Sequence, residues 1–168
     1  EIIEAKKIFN LSYSKLAVLV HPSSYIHAII KFNDGMIKLI AHDTNMRIPI
    51  FNSLYDSYQK TLKTDQLNIN KLNFLDFKKV DTKKFPSLKI IKKLQNNKPL
   101  IEAIIVLAND ELVNLFLLKK INFTDITSIL QKLINMKKYN KYYYKKPSNI
   151  SSIISLNRKI KLEINKLI

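Results

Sequence analysis

The sequence predicts an α+β chain: a helix and a small, mostly antiparallel sheet come first, then a linker, then an all-α helical bundle. Three observations carry this. Short β-branched runs flank Asn33-Asp34-Gly35, a tight-turn signal between two strands. Residues 56–84 show no sustained periodicity and are rich in Lys, Asn, Asp and Thr. From Pro86 onward the apolar spacing becomes helical and stays helical. The divisions therefore fall at 1–55, 56–84 and 85–168.

Each element has its own reason. Residues 1–10 (EIIEAKKIFN) put apolar side chains at 2, 3, 5, 8 and 9, with acids in front and lysines behind, which suits a helix. Residues 16–20 (LAVLV) form an apolar run that stops at His21-Pro22, as a buried strand does. Residues 26–32 and 36–41 read as two further strands, joined by Asn33-Asp34-Gly35 with positive φ angles. Within the linker, 75–77 is a short strand candidate. Pro86 opens a helix over 86–96, with Leu88, Ile91 and Leu94 on one face. Residues 100–119 are apolar on nearly all sides, the mark of a bundle's central helix. Thr124-Asp125 caps the next helix, with Ile126, Ile129, Leu130 and Leu133 inward. Ser148 or Asn149 caps the last, with Ile153, Leu156, Ile160, Ile164 and Leu167 inward.

Composition narrows the function classes. A hydrophobic fraction of 46% and a mean hydropathy of -0.09 suit a soluble globular chain. No apolar run is long and uncharged enough to span a membrane; residues 100–118 are interrupted by Glu102, Asn109, Asp110 and Glu111. With Cys 0 there is no disulfide, thiolate metal site or cysteine nucleophile, which fits a reducing, cytoplasmic interior. A net charge of +16 suggests nucleic acid at first sight. Yet Arg47 and Arg158 are the only arginines, and the lysines are scattered through every segment, as on a solvated surface. The one local exception is 137–146 (KKYNKYYYKK), where bases alternate with tyrosines; it keeps a basic nucleic-acid-binding module as the alternative reading, against an exposed connection between helices. Gly35 is the single glycine, so neither a dinucleotide-binding glycine loop nor a P-loop exists in these residues.

Candidate chemistry gathers in the first 46 residues. Glu1 and Glu4 lie one helical turn apart and share a face; they read as complements of the helix dipole or as part of a hard-cation site. His21 and His27 bracket a loop between strands, and His42 follows the third strand. Imidazoles there suit hydrogen bonding to phosphate and hydroxyl oxygens, or simple structural roles. Their spacing matches no helical zinc pair. Ser23 and Ser24 lack a hydrolase elbow. Met46-Arg47, ahead of Ile48-Pro49, reads as a loop able to pack on a ligand.

Together these segments resemble the 1-deoxy-D-xylulose 5-phosphate reductoisomerase family. The resemblance runs through Glu1-Ile2-Ile3-Glu4-Ala5, His21-Pro22-Ser23-Ser24-Tyr25-Ile26-His27, Asp34-Gly35 and Met46-Arg47-Ile48-Pro49-Ile50, with no gap needed. It continues in order through Leu75-Asp76-Phe77, Phe85-Pro86-Ser87-Leu88, Ala108-Asn109-Asp110-Glu111 and Phe123-Thr124-Asp125-Ile126. The chain departs from the family pattern at Asn45, usually Asp, at Ile48, usually Thr, and at Val106-Leu107.

The resemblance implies a C-terminal fragment, without the NADPH-binding domain, of an enzyme acting on a phosphorylated sugar with NADPH and Mg²⁺ or Mn²⁺. It implies that 1–55 ends the catalytic domain, and that Glu1 is a metal ligand that also touches substrate. It further implies that His27 shapes the catalytic site, Glu4 orients its neighbours, and Met46 lies near the nicotinamide. The fragment alone is expected to be inactive. The family's usual state implies a homodimer, with the exposed sheet of 16–41 as a candidate interface.

Overall fold

The computed structural model describes residues 1–56, 60–94 and 100–168, arranged as two compact units. One comprises Glu1–Ala17 with Asp81–Ile168, the other Val18–Val80. The sequence places divisions at 55 and 84; in the structure the first helix instead belongs with the helical unit. The reason is packing: Ile3 and Tyr13 lie against the bundle's core, and Lys6 is buried.

The helical unit is built from α1 (Ile2–Ile8), α4 (Ser87–Ile91), α5 (Ile101–Leu117), α6 (Phe123–Ile134) and α7 (Ile150–Ile164). The labels α2 and α3 belong to the other unit, as Arg47–Leu54 and Ile69–Asn73. Helix α5 is central, packing on both α6 and α7. Ile101, Ile104, Ala108 and Leu112 from α5, Leu133 from α6, and Ile160 and Ile164 from α7 are completely buried. Each such Leu or Ile stabilises the fold by about 1.5–3 kcal/mol relative to exposure. The α7 stripe is as its spacing predicts, with Ile153 and Leu167 at its partly buried ends. Asn149 caps α7, accepting the Ser152 amide at 2.8 Å.

Three expectations shift. The cap of α6 is Asn122, not Thr124-Asp125: Asp125 stands at the third helical position and takes the Asn122 amide at 2.8 Å, closing a capping box. In α4 the most buried residue is Ile90, between the predicted Leu88 and Ile91, and the helix ends by Ile91; positions 95 and 96 of the predicted span lie outside the described residues. Residues 137–146 are not simply an exposed connection. Lys137–Tyr143 forms a 3-10 helix whose Tyr139 is buried, with Tyr142 and Tyr143 packed against the core. Burial raises the Tyr139 and Tyr143 hydroxyls above the ordinary phenol range, Tyr139 being lifted further by Glu163.

The Val18–Val80 unit holds two small antiparallel sheets. Strands β2 (Ile26–Lys31) and β3 (Ile37–Ala41) form a hairpin, while β1 (Leu19–Val20) pairs with β4 (Lys78–Lys79). The predicted strand at 16–20 is thus shortened to two residues, and that at 75–77 moves to Lys78–Lys79, where β1 offers its partner. In the turn, the Gly35 amide donates to the Phe32 carbonyl at 3.2 Å, and the Phe32 amide to the Met36 carbonyl at 2.9 Å. Within Asn33-Asp34-Gly35, Gly35 alone has a positive φ, +89°, so Asn33 and Asp34 form an ordinary turn and the glycine makes the bulge. Helix α2 lies where the sequence suggests a loop. Its proline is harmless, because Pro49 falls in the first turn, where amides have no helical partner.

Candidate functional site

Glu1 and Glu4 stand on the helical unit. Glu1 is the N-cap of α1, but its side chain makes no capping bond, and both acids are exposed. At about 100° per residue, the pair lies roughly 140–160° around the helix from Lys6. Lys6 faces the bundle, so the carboxylates occupy the opposite side.

On that inner side, Glu102 of α5 is an acid with only 1% exposure. Its Oε1 accepts from Lys6 Nζ and from the Tyr13 hydroxyl, the latter at 2.8 Å. Lys7 Nζ faces Oε2 at 2.6 Å. Burial alone would raise the Glu102 carboxyl, but bonds from Lys6, Lys7 and Tyr13 outweigh it and hold the group below the usual carboxylate range. Tyr13 is pushed the other way, well above an ordinary phenol, by burial and by the adjacent carboxylate.

The histidines belong to the Val18–Val80 unit. His27 sits at a register shift in the hairpin: Ile26 pairs with Ala41, but Ala28 pairs with Ile40, leaving His27 as the extra residue. Such a bulge re-aims a side chain. His27 stacks on His42 with ring centroids 3.7 Å apart, and His27 Nε2 lies 3.0 Å from the His42 carbonyl. A carbonyl only accepts, so Nε2 carries the proton and, in the neutral ring, Nδ1 keeps a lone pair. His42 Nδ1 is likewise committed, donating to the Asp43 carbonyl at 2.7 Å. His21 donates from Nδ1 to the Asp76 carbonyl at 3.1 Å and receives the Ser23 hydroxyl on Nε2 at 2.7 Å. It also tilts against Phe77 at 5.0 Å, a set of contacts that anchors the loop. Ser24 adopts φ of 50° and closes the turn through its amide to the His21 carbonyl.

Met46 immediately precedes α2 and is 69% exposed. Asn45 shapes this point: its Oδ1 accepts the Arg47 amide at 3.0 Å and its carbonyl the Ile48 amide at 3.1 Å. Aspartate could accept the same amide, so this departure from the family pattern preserves the turn. A cleft of about 130 Å³ opens beside it, bordered by Asp43, Asn45, Arg47, Lys63, Thr64 and Asp65. Lys71 pairs with Asp43 and lies over the Tyr25 ring; the bond to Asp43 raises the ammonium above its ordinary range.

The structure therefore brings His27 and His42 together, and sets Glu1 and Glu4 on one face. The His27–His42 stack is absent from the sequence reading because no glycine or proline marks the bulge. Among the described residues no three acids or histidines converge as a complete metal site. None of the described helices is long and apolar enough to cross a membrane. Tyr139 is buried and Tyr142 and Tyr143 pack partly against the core, so of the tyrosines in 137–146 it is Tyr144, 75% exposed, that stays open to solvent for base stacking.

Comparison with known proteins agrees with this anatomy. The family model described as DXP reductoisomerase C-terminal domain matches residues 42–163. The 1-deoxy-D-xylulose 5-phosphate reductoisomerase of Pelagibacter ubique (strain HTCC1062) is 52% identical over 99% of this chain and 43% of its own length. That of Sulfurihydrogenibium sp. (strain YO3AOP1) is 36% identical, covering 84% of this chain and 38% of its own. The Zymomonas mobilis enzyme, solved in complex with NADPH, superposes with a TM-score of 0.73 at 29% identity, covering 99% of this chain and 43% of that one. A DOX-P reductoisomerase solved with NADPH, fosmidomycin and magnesium shares the fold with a TM-score of 0.84 at 24% identity, over 98% of this chain and 41% of that one.

The helix-rich architecture with its small antiparallel sheet is thus that of a reductoisomerase C-terminal region. The chain spans about 43% of the length of the Pelagibacter relative. It belongs to the DXP reductoisomerase family.

Proposed function

We propose that this chain supplies a metal-binding carboxylate, a positioned histidine and a nicotinamide-facing side chain to an NADPH- and divalent-metal-dependent reductoisomerase. The reaction converts 1-deoxy-D-xylulose 5-phosphate to 2-C-methyl-D-erythritol 4-phosphate, in non-mevalonate isoprenoid synthesis. In this reading, residues 1–55 end the catalytic domain, 56–84 link it onward, and 85–168 form the C-terminal bundle. The enzyme works in the cytoplasm as a homodimer, with the exposed β2–β3 hairpin at the interface.

The observation that carries the reading is the placement of Glu1: an exposed carboxylate on the face of α1 that also bears Glu4, turned away from the buried Lys6. Carboxylate oxygens suit Mg²⁺ or Mn²⁺, so the donor chemistry fits, with Glu1 as one ligand of a set. Such a cation polarises substrate oxygens as a Lewis acid. Glu4, one turn on, orients the first carboxylate's surroundings. His27, its Nε2 proton committed to the His42 carbonyl, offers Nδ1 to a substrate hydroxyl and so fixes where that hydroxyl's proton points. Met46 presents apolar surface to the nicotinamide.

The test is a graft in which this chain replaces the matching 43% of the Pelagibacter enzyme, assayed by NADPH oxidation with deoxyxylulose phosphate. The graft turns over, whereas the chain by itself does not. Losing a Lewis-acid ligand removes several kcal/mol, so Glu1→Gln lowers kcat/KM by about 10³-fold. His27→Ala lowers it by about 10²-fold. Turnover by the chain alone, an inactive graft, or a graft indifferent to Glu1→Gln each sinks the reading.

A further inference from the structure

Glu102 is hard to explain as packing. It occupies the first turn of α5 beside Ile101, Ile104 and Ile105, all core residues, where an apolar side chain would bury with no charge to desolvate. Its carboxylate contacts lead to one place. Lys6 is 96 residues earlier in the chain, Lys7 adjoins it, and Tyr13 follows a few residues on. All three lie in α1 or just beyond it.

Helix α1 needs such a fixture. Ile8 and Phe9 at its end are largely exposed, so they do not tie it to the bundle. Apolar contact through Ile3 resists separation but little opposes rolling or sliding, because hydrophobic burial is non-directional. Ion pairs and hydrogen bonds from two neighbouring lysines and a tyrosine to one fixed carboxylate are directional. Lys6 grips the side of α1 opposite Glu1 and Glu4, while Lys7, about 60° around the helix from Glu4, reaches the same carboxylate from the flank.

We propose that Glu102 is a positioning residue for the metal-binding carboxylate Glu1, locking the helix that bears it through Lys6, Lys7 and Tyr13. This rests on the metal-ligand reading of Glu1 given above. Glu102 touches neither metal nor substrate; it fixes the azimuth of α1, and hence where the Glu1 oxygens stand.

Two measurements test it. In the 168-residue chain, amide exchange of residues 2–8 rises at least tenfold in Glu102→Gln, while α5, α6 and α7 keep their protection. In the active graft, the Mg²⁺ concentration for half-maximal turnover rises by about tenfold or more in the same variant. Lys7→Met, altering a half-exposed partner and leaving Lys6 paired, shifts it less and in the same direction. Lys6→Met with Glu102→Gln removes both buried charges. The thermal midpoint then returns toward that of the unsubstituted graft, while the Mg²⁺ requirement stays raised.

A purely structural Glu102 predicts that midpoint and Mg²⁺ requirement recover together in the double variant. That result, or a Mg²⁺ requirement unmoved in every variant, overturns the proposal. If Glu102→Gln fails to fold, the Lys7→Met and double variants decide. An inactive unsubstituted graft overturns the reductoisomerase reading and, with it, the metal-positioning role; the exchange measurement then reports separately whether the clasp holds α1.

Discussion

In the helical unit, Leu112, Leu133, Ile160 and Ile164 are wholly removed from water, whereas Ile29, Leu39 and Ile40 of the hairpin keep 42–47% of their surface exposed. Among the described residues, Tyr25 is the only buried apolar side chain of the Val18–Val80 unit. The two regions use similar residues for different ends. The bundle's free energy is internal, drawn from helices that bury their stripes against each other. A two-stranded ribbon cannot do this, because isolated hairpins are marginal in water. The histidines at the centre of the proposed chemistry are therefore carried by the part that buries least, and the carboxylates by a helix moored to the part that buries most.

The comparison is most easily broken at the centre of α5. Leu112→Ala leaves a cavity in a filled core and should cost about 3 kcal/mol, read as a lower urea midpoint at unchanged slope. A loss under 1 kcal/mol would mean that the bundle is far looser than its burial indicates. A smaller effect appears with acid. The Glu102 pKa is lowered in the folded state, so its stabilising contribution is present above the unfolded value near 4.5 and is lost as pH falls through the still lower folded value. Glu163, held low by the Lys138 hydrogen bond, acts in the same direction. Urea midpoints at pH 7, 4 and 3 should fall steadily, and less steeply in Glu102→Gln; identical slopes would remove Glu102 from the account. The smallest effect belongs to the hairpin. Leu39→Thr introduces a β-branched side chain at an exposed strand position and should move stability of the chain by no more than about 0.5 kcal/mol.

Local rules made much of this fold legible. The α7 stripe and the Asn149 cap follow from spacing and from a polar residue before an apolar run. The hairpin follows from two β-branched runs around one glycine. Errors arose where two local signals competed. Thr124-Asp125 looks like a cap because Asp125 truly serves one, but from inside the helix. Pro49 looks like a breaker, yet a first-turn position tolerates it. Tyrosines among lysines look exposed, although Tyr139 turns into the core through a 3-10 helix that periodicity at 3.6 does not detect. Of the candidate site, the motif around Glu1, His27 and Met46 was visible as a pattern. The stack of His27 on His42 was not, since it depends on a one-residue slip in strand pairing. Nor was the Glu102 clasp, whose partners are brought together only by the packed bundle.

The turn at Gly35 has a practical consequence. Because it is the chain's only glycine, a sample grown with ¹⁵N-glycine gives one amide signal, and that signal comes from the tip of the hairpin. Its amide is bonded to the Phe32 carbonyl, so its chemical shift and exchange rate report directly whether the ribbon is closed. The region that buries least thus carries its own spectroscopic label, readable without assigning any other residue, in a background where the bundle is silent.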